Sequence, residues 1–398
     1  MISPIFKDLR LGVLSAGNFM IGTSMFVIGG LLNQLAEAFQ VSIAKAGYLI
    51  AAFALTSVVA APLFATLSAR FDRRKLLTLM LLICALANGL AYFAQTYEQL
   101  LATRLVAAIS SAVFTPQAAA VLGLLVTPAQ RTQATSAIML GWSLAAVLGV
   151  PLGVWVGAHF GWRTTMGLIG LSSLVVAAAL WLILPRGLHV PRINLQSWMR
   201  VLRTPALLLL IGTSLIFASG HHSVFSYIAP IIAAIQPDDP ALLSSLLLTY
   251  GVAAVLSNVL AVILMNRLGL ESMVRIWGLI PLAVLLLWPL LSQNLTALYL
   301  LIFFWGVGAA GFNGLQQARL ASVAPGLAAA SIALNSSAFY LGQSSGTLLG
   351  GALWDVVSAQ YLPWLGVALI GLAMLLSRQA RHAVRRHQTS EPAGDTEA

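Results

Sequence analysis

The chain has 398 residues, 59% of them hydrophobic and only 8% charged, with a mean hydropathy of +0.92. Charged residues make up about 25% of an ordinary soluble domain, so this composition excludes a water-soluble fold. The formal net charge of +10 would suit nucleic acid in a soluble chain; in a membrane protein it points to basic loops gathered on one side, and no nucleic-acid partner is expected.

Twelve apolar segments follow one another, near 11–33, 46–67, 76–96, 99–123, 133–158, 163–184, 206–233, 242–265, 273–291, 296–320, 327–352 and 360–377. Each is about the 20 residues a helix needs to cross a bilayer. None alternates as a barrel strand does, so all are expected to be helices. The first run is too long for a cleavable signal and is expected to stay as a span. The lone Cys84 lies inside the third run, so no internal disulfide is possible.

Charge fixes the orientation. With the N-terminus inside, the inner loops hold eighteen of the 21 basic residues, from Lys7 and Arg10 to Arg385 and Arg386; the outer loops hold Lys45 and Arg163. This predicts both termini in the cytoplasm, in a bacterial-type inner membrane. The longest loop divides the chain near its middle. A shift of 197 residues lays Arg267 on Arg70, Gly346 and Gly350 on Gly149 and Gly153, and Pro230 opposite Asn33. One offset serving several matches predicts a parallel duplication. The expected fold is all-α integral membrane: twelve transmembrane helices in two six-helix bundles, 1–185 and 205–377, joined by an inter-bundle loop, 186–204. The basic, then polar tail at 378–398 is expected to be disordered.

Four stretches carry a family resemblance: ATLSARFDRRKLL at 65–77, TRLVAAISSA around Arg104, LGVPLGVWVGAHFGWR at 148–163 and GTSMFVIGGLLNQLA at 22–36. Together they resemble the major facilitator superfamily, in its drug and sugar efflux branch of proton antiporters, and the likeness spans nearly the whole chain. It implies alternating access, with conformational gating by Arg70, Asp72, Arg73 and Arg74 in the first loop and by Gly149, Pro151 and Gly153 in the fifth span. Read physically, the basic loop can bond to neighbouring helix ends, or serve as a plain positive-inside anchor. The family's aspartate is Ala69 here, with Asp72 as a partial substitute. Glycines spaced by four permit close helix packing, and Pro151 frees a carbonyl and bends the helix.

Arg104 is the basic residue well inside a span, where a charge is costly and usually functional. It is expected to face a central cavity and attract an anionic group; snorkelling outward is the alternative. No Asp or Glu falls securely inside a span, and Met25 stands where the resembled pattern usually has an acid. The coupling proton then needs another seat. GHHSVFSYIAP at 220–230 offers one: His221 and His222 lie opposite Ser24 and Met25 under the 197 shift. Histidine titrates near physiological pH; a structural bond to a carbonyl or serine is the alternative. Adjacent helical residues point about 100° apart, so one of the two is expected to face the cavity, with His221 favoured.

Polar residues concentrate in the seventh, tenth and eleventh spans. Candidates for the substrate or proton site are Arg104, His221, His222, Asn18, Thr23, Phe26, Phe225, Tyr227, Asn313, Gln316, Gln317, Asn335, Tyr340 and Gln343. The expected function is export of a small organic solute such as a sugar, nucleoside or drug-like molecule. Proton antiport is implied by the resemblance. An uncoupled facilitator, an importer or a non-transporting sensor are the alternatives. No metal or cofactor is called for, no enzyme motif of the HExxH or Gly-x-Ser-x-Gly kind is present, and a monomer is expected.

Overall fold

A computed structural model describes residues 8–67, 71–127, 130–189, 195–236, 239–356 and 359–390. In chain order the helices are α1 (Leu9–Gly30), α2 (Leu32–Ala38), α3 (Ile43–Leu67), α4 (Arg73–Tyr92), α5 (Tyr97–Leu125), α6 (Arg131–Leu144), α7 (Val150–Phe160), α8 (Trp162–Ile183), α9 (Leu195–Leu202), α10 (Pro205–Phe225), α11 (Ile228–Ile235), α12 (Pro240–Leu268), α13 (Leu270–Leu291), α14 (Leu295–Val323), α15 (Ala328–Val356) and α16 (Leu362–Ser390). No strand occurs among the described residues. Side chains close the helix starts where the sequence supplies them. Asp8, Asp72, Asp239 and Asn294 each accept from a first-turn amide, and Thr96 with Gln99 forms a capping box on α5.

Three pairs act as single passes: α1 with α2, α6 with α7, and α10 with α11. Among the described residues, eleven passes are long and apolar enough to cross a bilayer. The twelfth is α15, 29 residues long, whose Asn335, Gln343 and run of serines dilute its apolar character. An even number of passes puts both chain ends on one side, called here the terminal side; the opposite side is the far side. Within the first half α1 packs on α6 and α4 on α8; within the second, α10 packs on α15 and α16, and α12 on α14. Two seams join the halves: α3 against α15, and α12 against α7 and the turn before it.

The duplication is visible in the element boundaries. Adding 197 to the first residues of α3, α4 and α6 (43, 73 and 131) gives 240, 270 and 328, the first residues of α12, α13 and α15. The packing repeats as well. A Cβ on Gly149, Gly153 or Gly157 would strike Thr23 or Val27 of α1 or Leu31 just past its end, in turn. A Cβ on Gly342, Gly346 or Gly350 would strike the carbonyls of Leu215, Ser219 or Ser223 of α10. In each half a glycine stripe thus lets two parallel helices approach closely, onto side chains in the first half and onto backbone carbonyls in the second.

Hydrophobic packing is uneven along the membrane normal. One buried cluster joins the halves around Val27, Leu31 and Val154 on one side of the seam and Tyr227, Ile231 and Leu247 on the other, all towards the far side. At the terminal side the clusters stay apart. Leu11, Leu77, Val121 and Leu180 pack within the first half, and Leu207, Leu320, Ala330 and Ala380 within the second. Leu140, Leu144 and Leu148 are exposed, edging a groove of about 430 Å³ that runs between α1 and the fifth pass from the terminal side to mid-membrane. Among the described residues, hydrophobic packing thus seals the halves together at the far side and leaves them parted at the terminal side.

One expectation about the connecting segments needs correction, that of the tail. The inter-bundle loop contains α9, whose Val201 is buried against α10. The tail does not become disordered at 378: α16 continues to Ser390. The reason is packing, since Ala380 and Val384 are buried in the same cluster as Val201 and Leu207. Residues 391–398 lie outside the described residues.

Candidate functional site

The site is built on the last turn of α10. The seventh pass breaks at Ser226 and Tyr227 before α11 begins, much as the first breaks at Leu31. His221 and His222 sit just before that break, and both are buried. His221 lies in an aromatic box: its ring stacks on Phe225 at 5.0 Å and on Tyr250 at 6.4 Å, with the Trp305 indole edge-on at 5.6 Å. Trp305 Nε1 donates to His221 Nδ1 at 3.1 Å. An indole N–H only donates, so this bond belongs to an imidazole whose Nδ1 carries a lone pair. His222 turns towards α15, edge-on to Phe339 at 5.9 Å. The two imidazoles are 4.7 Å apart. Phe225, half-buried, closes the space between them and the interior.

From this box an amide track runs along α14 and α15 towards the terminal side. Asn335 donates to Asn313 Oδ1 at 3.1 Å, and Gln316 donates to the Leu210 carbonyl at 3.3 Å. Gln317 is half-buried on the same helix. The acceptor oxygens of Gln316, Asn335 and Gln343 are buried and have no hydrogen-bond partner among the described residues. A buried acceptor left unmade costs about 1–3 kcal/mol, so three of them on adjoining helices mark a place where another donor is expected. Tyr340, one turn from Gln343, packs across the seam against the first half's cluster of Met25, Phe53, Ala87, Ala107 and Ala108.

Arg104 is placed differently from expectation. It neither snorkels nor lines an open cavity: it is 1% exposed, inside the first half. Its guanidinium donates to the Ser24 carbonyl at 2.6 Å and reaches Asn88 Oδ1 at 3.5 Å, over the Phe53 ring at 5.0 Å. Among the described residues no carboxylate pairs with it, and its Nε is buried without a hydrogen-bond partner. Ser24 and Asn88 exchange hydrogen bonds of 2.9 and 3.1 Å. The cluster is therefore the first half's counterpart of the histidine box, with Ser24 at the position related to His221 by the 197 shift.

Several candidates sit in packing contacts. Asn18 is fully buried, donating to the Ile138 carbonyl and accepting from Thr115, which in turn accepts from Trp142. Thr23 bonds back to its own helix at Phe19 and meets Gly149. Phe26 packs edge-on against Trp142 at 5.6 Å. Tyr227 is fully buried in the far-side seal, donating to the Thr347 carbonyl and pressed against Gly47 and Gly351.

Of the gating candidates, Arg70 lies outside the described residues. Asp72 caps α4 through the Arg74 amide and accepts from the Gly187 amide at 2.6 Å, while the Arg73 amide donates to the Leu188 carbonyl. Arg74 lies over the Trp181 ring at 4.4 Å. The loop thereby grips the segment that leaves α8. Around Pro151 the fifth pass widens into a π-turn, Ala145–Gly149, in which the Val150 amide reaches back five residues to Ala145. Proline offers no amide to Val147, and the wider turn re-sites the neighbouring bonds.

Sequence reasoning missed two groups. Asn88 was a lone amide in an apolar run, with nothing in its spacing to mark it. Arg319 was counted among the inner-loop charges, and Glu271 was not singled out. Glu271 stands in the first turn of α13, and Arg319 is buried, bonded to both Glu271 oxygens at 2.6 and 2.8 Å and to Ser377 at 3.0 Å.

The family model for the Major Facilitator Superfamily matches residues 14–238 and 222–397. A probable sugar efflux transporter of Pasteurella multocida (strain Pm70) is 28% identical over 383 residues, 94% of this chain and 93% of that protein. The uncharacterized MFS-type transporter YbcL of Bacillus subtilis (strain 168) is 23% identical over 381 residues, 94% of this chain and 98% of that one. Among solved structures, a D-xylose-proton symporter superposes with a TM-score of 0.78 at 15% identity, covering 94% of this chain and 97% of that one. A bacterial homologue of the human lysosomal transporter Spinster, inward-facing and unoccupied, superposes with a TM-score of 0.75 at 16% identity, covering 99% and 100%. A duplicated twelve-pass bundle, sealed at one side and matched along its length by this family model, makes the chain a transporter of the Major Facilitator Superfamily.

Proposed function

We propose that the chain exports a small hydroxyl-rich solute, a sugar or sugar-like molecule, from the cytoplasm in exchange for protons. The observation that carries the reading is the set of buried acceptors without partners, on Gln316, Asn335 and Gln343. A polyol supplies the hydroxyl donors such acceptors need, and the aromatic rings of Phe225, Phe339 and Tyr340 suit its apolar faces. Similarity to a probable sugar efflux transporter over nearly the whole chain supports the same class. Residues 1–185 and 205–377 would rock as two bodies, with the gating loop at Asp72 and the π-turn before Pro151 as the yielding points. Both termini would be cytoplasmic in a bacterial inner membrane, because the basic residues gather at that side. The parted terminal side would then be the loading side.

The proton seat in this reading is His221. Protonation of Nδ1 would break the bond from Trp305 and leave two donors facing each other. That would couple a charge to the packing of α10 against α14. The competing reading is an uncoupled facilitator. It is favoured by the lack of any carboxylate on the amide track among the described residues. Counterflow of radiolabelled mono- and disaccharides in proteoliposomes, with and without an imposed pH gradient, separates them. Exchange without net uphill movement under the gradient would support the facilitator. Failure of every saccharide to exchange, with exchange of a nucleoside or drug, would overturn the substrate class.

A further inference from the structure

The ion pair of buried Arg319 and part-exposed Glu271 borders a pocket away from the histidine box and the amide track. It lies at the terminal side between the start of α13 and the end of the membrane-crossing part of α16, and encloses about 170 Å³. A single water needs about 10–15 Å³ of such space, so the pocket holds a group of several heavy atoms. Its mouth carries Arg275, Arg378 and Arg381; its deeper wall is Leu279, Met374 and Leu375. The helices run antiparallel, so charge sits at the helix ends and apolar surface one to two turns further into the membrane. Leu279 and Leu375 are exposed, at 44% and 61%.

The charge balance is one-sided. Arg319 occupies both oxygens of Glu271, and Arg381 stands 4.0 Å from the same carboxylate. One acid therefore answers four arginines. Arg275 and Arg378 are exposed at the rim, and guanidinium groups suit phosphate through paired N–H donors. A phosphate could come from a lipid headgroup or from free solute. The apolar wall directly beneath the arginines favours the lipid, because acyl chains continue where the charge ends, and basic pockets between helices are lipid-headgroup sites in other membrane proteins.

We propose that this pocket binds the phosphate of an anionic phospholipid in the terminal-side leaflet, with its acyl chain along Leu279 and Leu375. Bound there, the lipid would tie α13 to α16 and brace Arg319 from the outside.

The test is native mass spectrometry of the full chain exchanged into micelles doped with phosphatidylglycerol or phosphatidylcholine. The native chain should retain one phosphatidylglycerol and no phosphatidylcholine. A basic residue near a lipid surface contributes on the order of fivefold in affinity, so Arg275→Ala with Arg378→Ala should lower retention by about twenty-five-fold. The paired lysine substitutions should restore most of it. Both positions are exposed, so folding is not at risk; Arg319 and Glu271 are left intact. Equal retention by the native and doubly substituted chains would overturn the proposal, as would equal retention of the two lipids. Millimolar inorganic phosphate displacing the lipid completely would show a free-anion site and overturn the lipid assignment.

Discussion

Trp305 donates to His221 Nδ1 across the interface of α14 and α10, at 3.1 Å, inside a box closed by Phe225 and Tyr250. His221→Leu would leave the indole N–H buried without a partner, at a cost of about 1–3 kcal/mol. His221→Gln keeps an acceptor in reach and should hold the thermal midpoint. The two substitutions should therefore differ in unfolding temperature, leucine below glutamine. Both should flatten the pH profile of solute flux in proteoliposomes, whereas Trp305→Phe should move it. A profile unchanged in all three would remove His221 from the proton path.

Arg104 allows stability and function to be pulled apart. A lone guanidinium buried against Ser24 and Asn88 gains little to offset its desolvation, and replacing buried charges by apolar groups is often neutral or stabilising by about 1–4 kcal/mol. Arg104→Met should leave the unfolding temperature unchanged or raise it, while lowering flux at least tenfold. A fall of several degrees together with retained flux would make Arg104 a structural brace.

The passes, their order and the duplication were legible in the sequence because each rests on one strong constraint. Lipid demands about 20 apolar residues per helix, and a single offset of 197 placed Gly346 and Gly350 on Gly149 and Gly153 before any packing was seen. Side-chain direction was not legible. Tyr227 and Asn18 share a helical period with cavity residues, yet one turns into the far-side seal and the other into the α1–α6 contact. A rotation of one residue, about 100°, separates those outcomes, and apolar surroundings on every face leave no amphipathic stripe to reveal it. The Arg319–Glu271 pair was hidden for another reason: its members are 48 positions apart, and each alone looks like an ordinary helix-end charge.

The seam between the halves rests on glycine near the middle of α12. A Cβ on Gly251 of α12 would lie 2.5 Å from the Ala146 carbonyl oxygen and Val147 Cα, both in the π-turn across the seam. Overpacking of this kind costs about 1–3 kcal/mol, the size of the gap between two transporter states. Gly251→Val should therefore shift the population towards a far-side-open form by about five- to 150-fold. Spin labels on cysteine pairs at each side, in a Cys84→Ser background, would read longer far-side and shorter terminal-side distances. An unchanged distribution would show that α12 yields locally instead.

Asp72 gives a pH-dependent prediction with a defined sign. Burial alone would raise its carboxyl, but the amides of Gly187, Arg74 and Lys75 outweigh that, helped by His189, and hold it below the usual carboxylate value. A group depressed in the folded state stabilises above its unfolded value, near 3.9, and loses that contribution as pH falls through the folded value. Asp72→Ala removes both the cap on α4 and the grip on Gly187, and a lost cap costs about 1 kcal/mol. The native chain should melt above Asp72→Ala at pH 7, and the difference should shrink below pH ~4. Asp72→Asn still caps but does not titrate, so it should melt close to the native chain at pH 7 and lack this part of the acid sensitivity. If the alanine chain melts with the native one at pH 7, the contact between Asp72 and Gly187 contributes nothing to holding the loop.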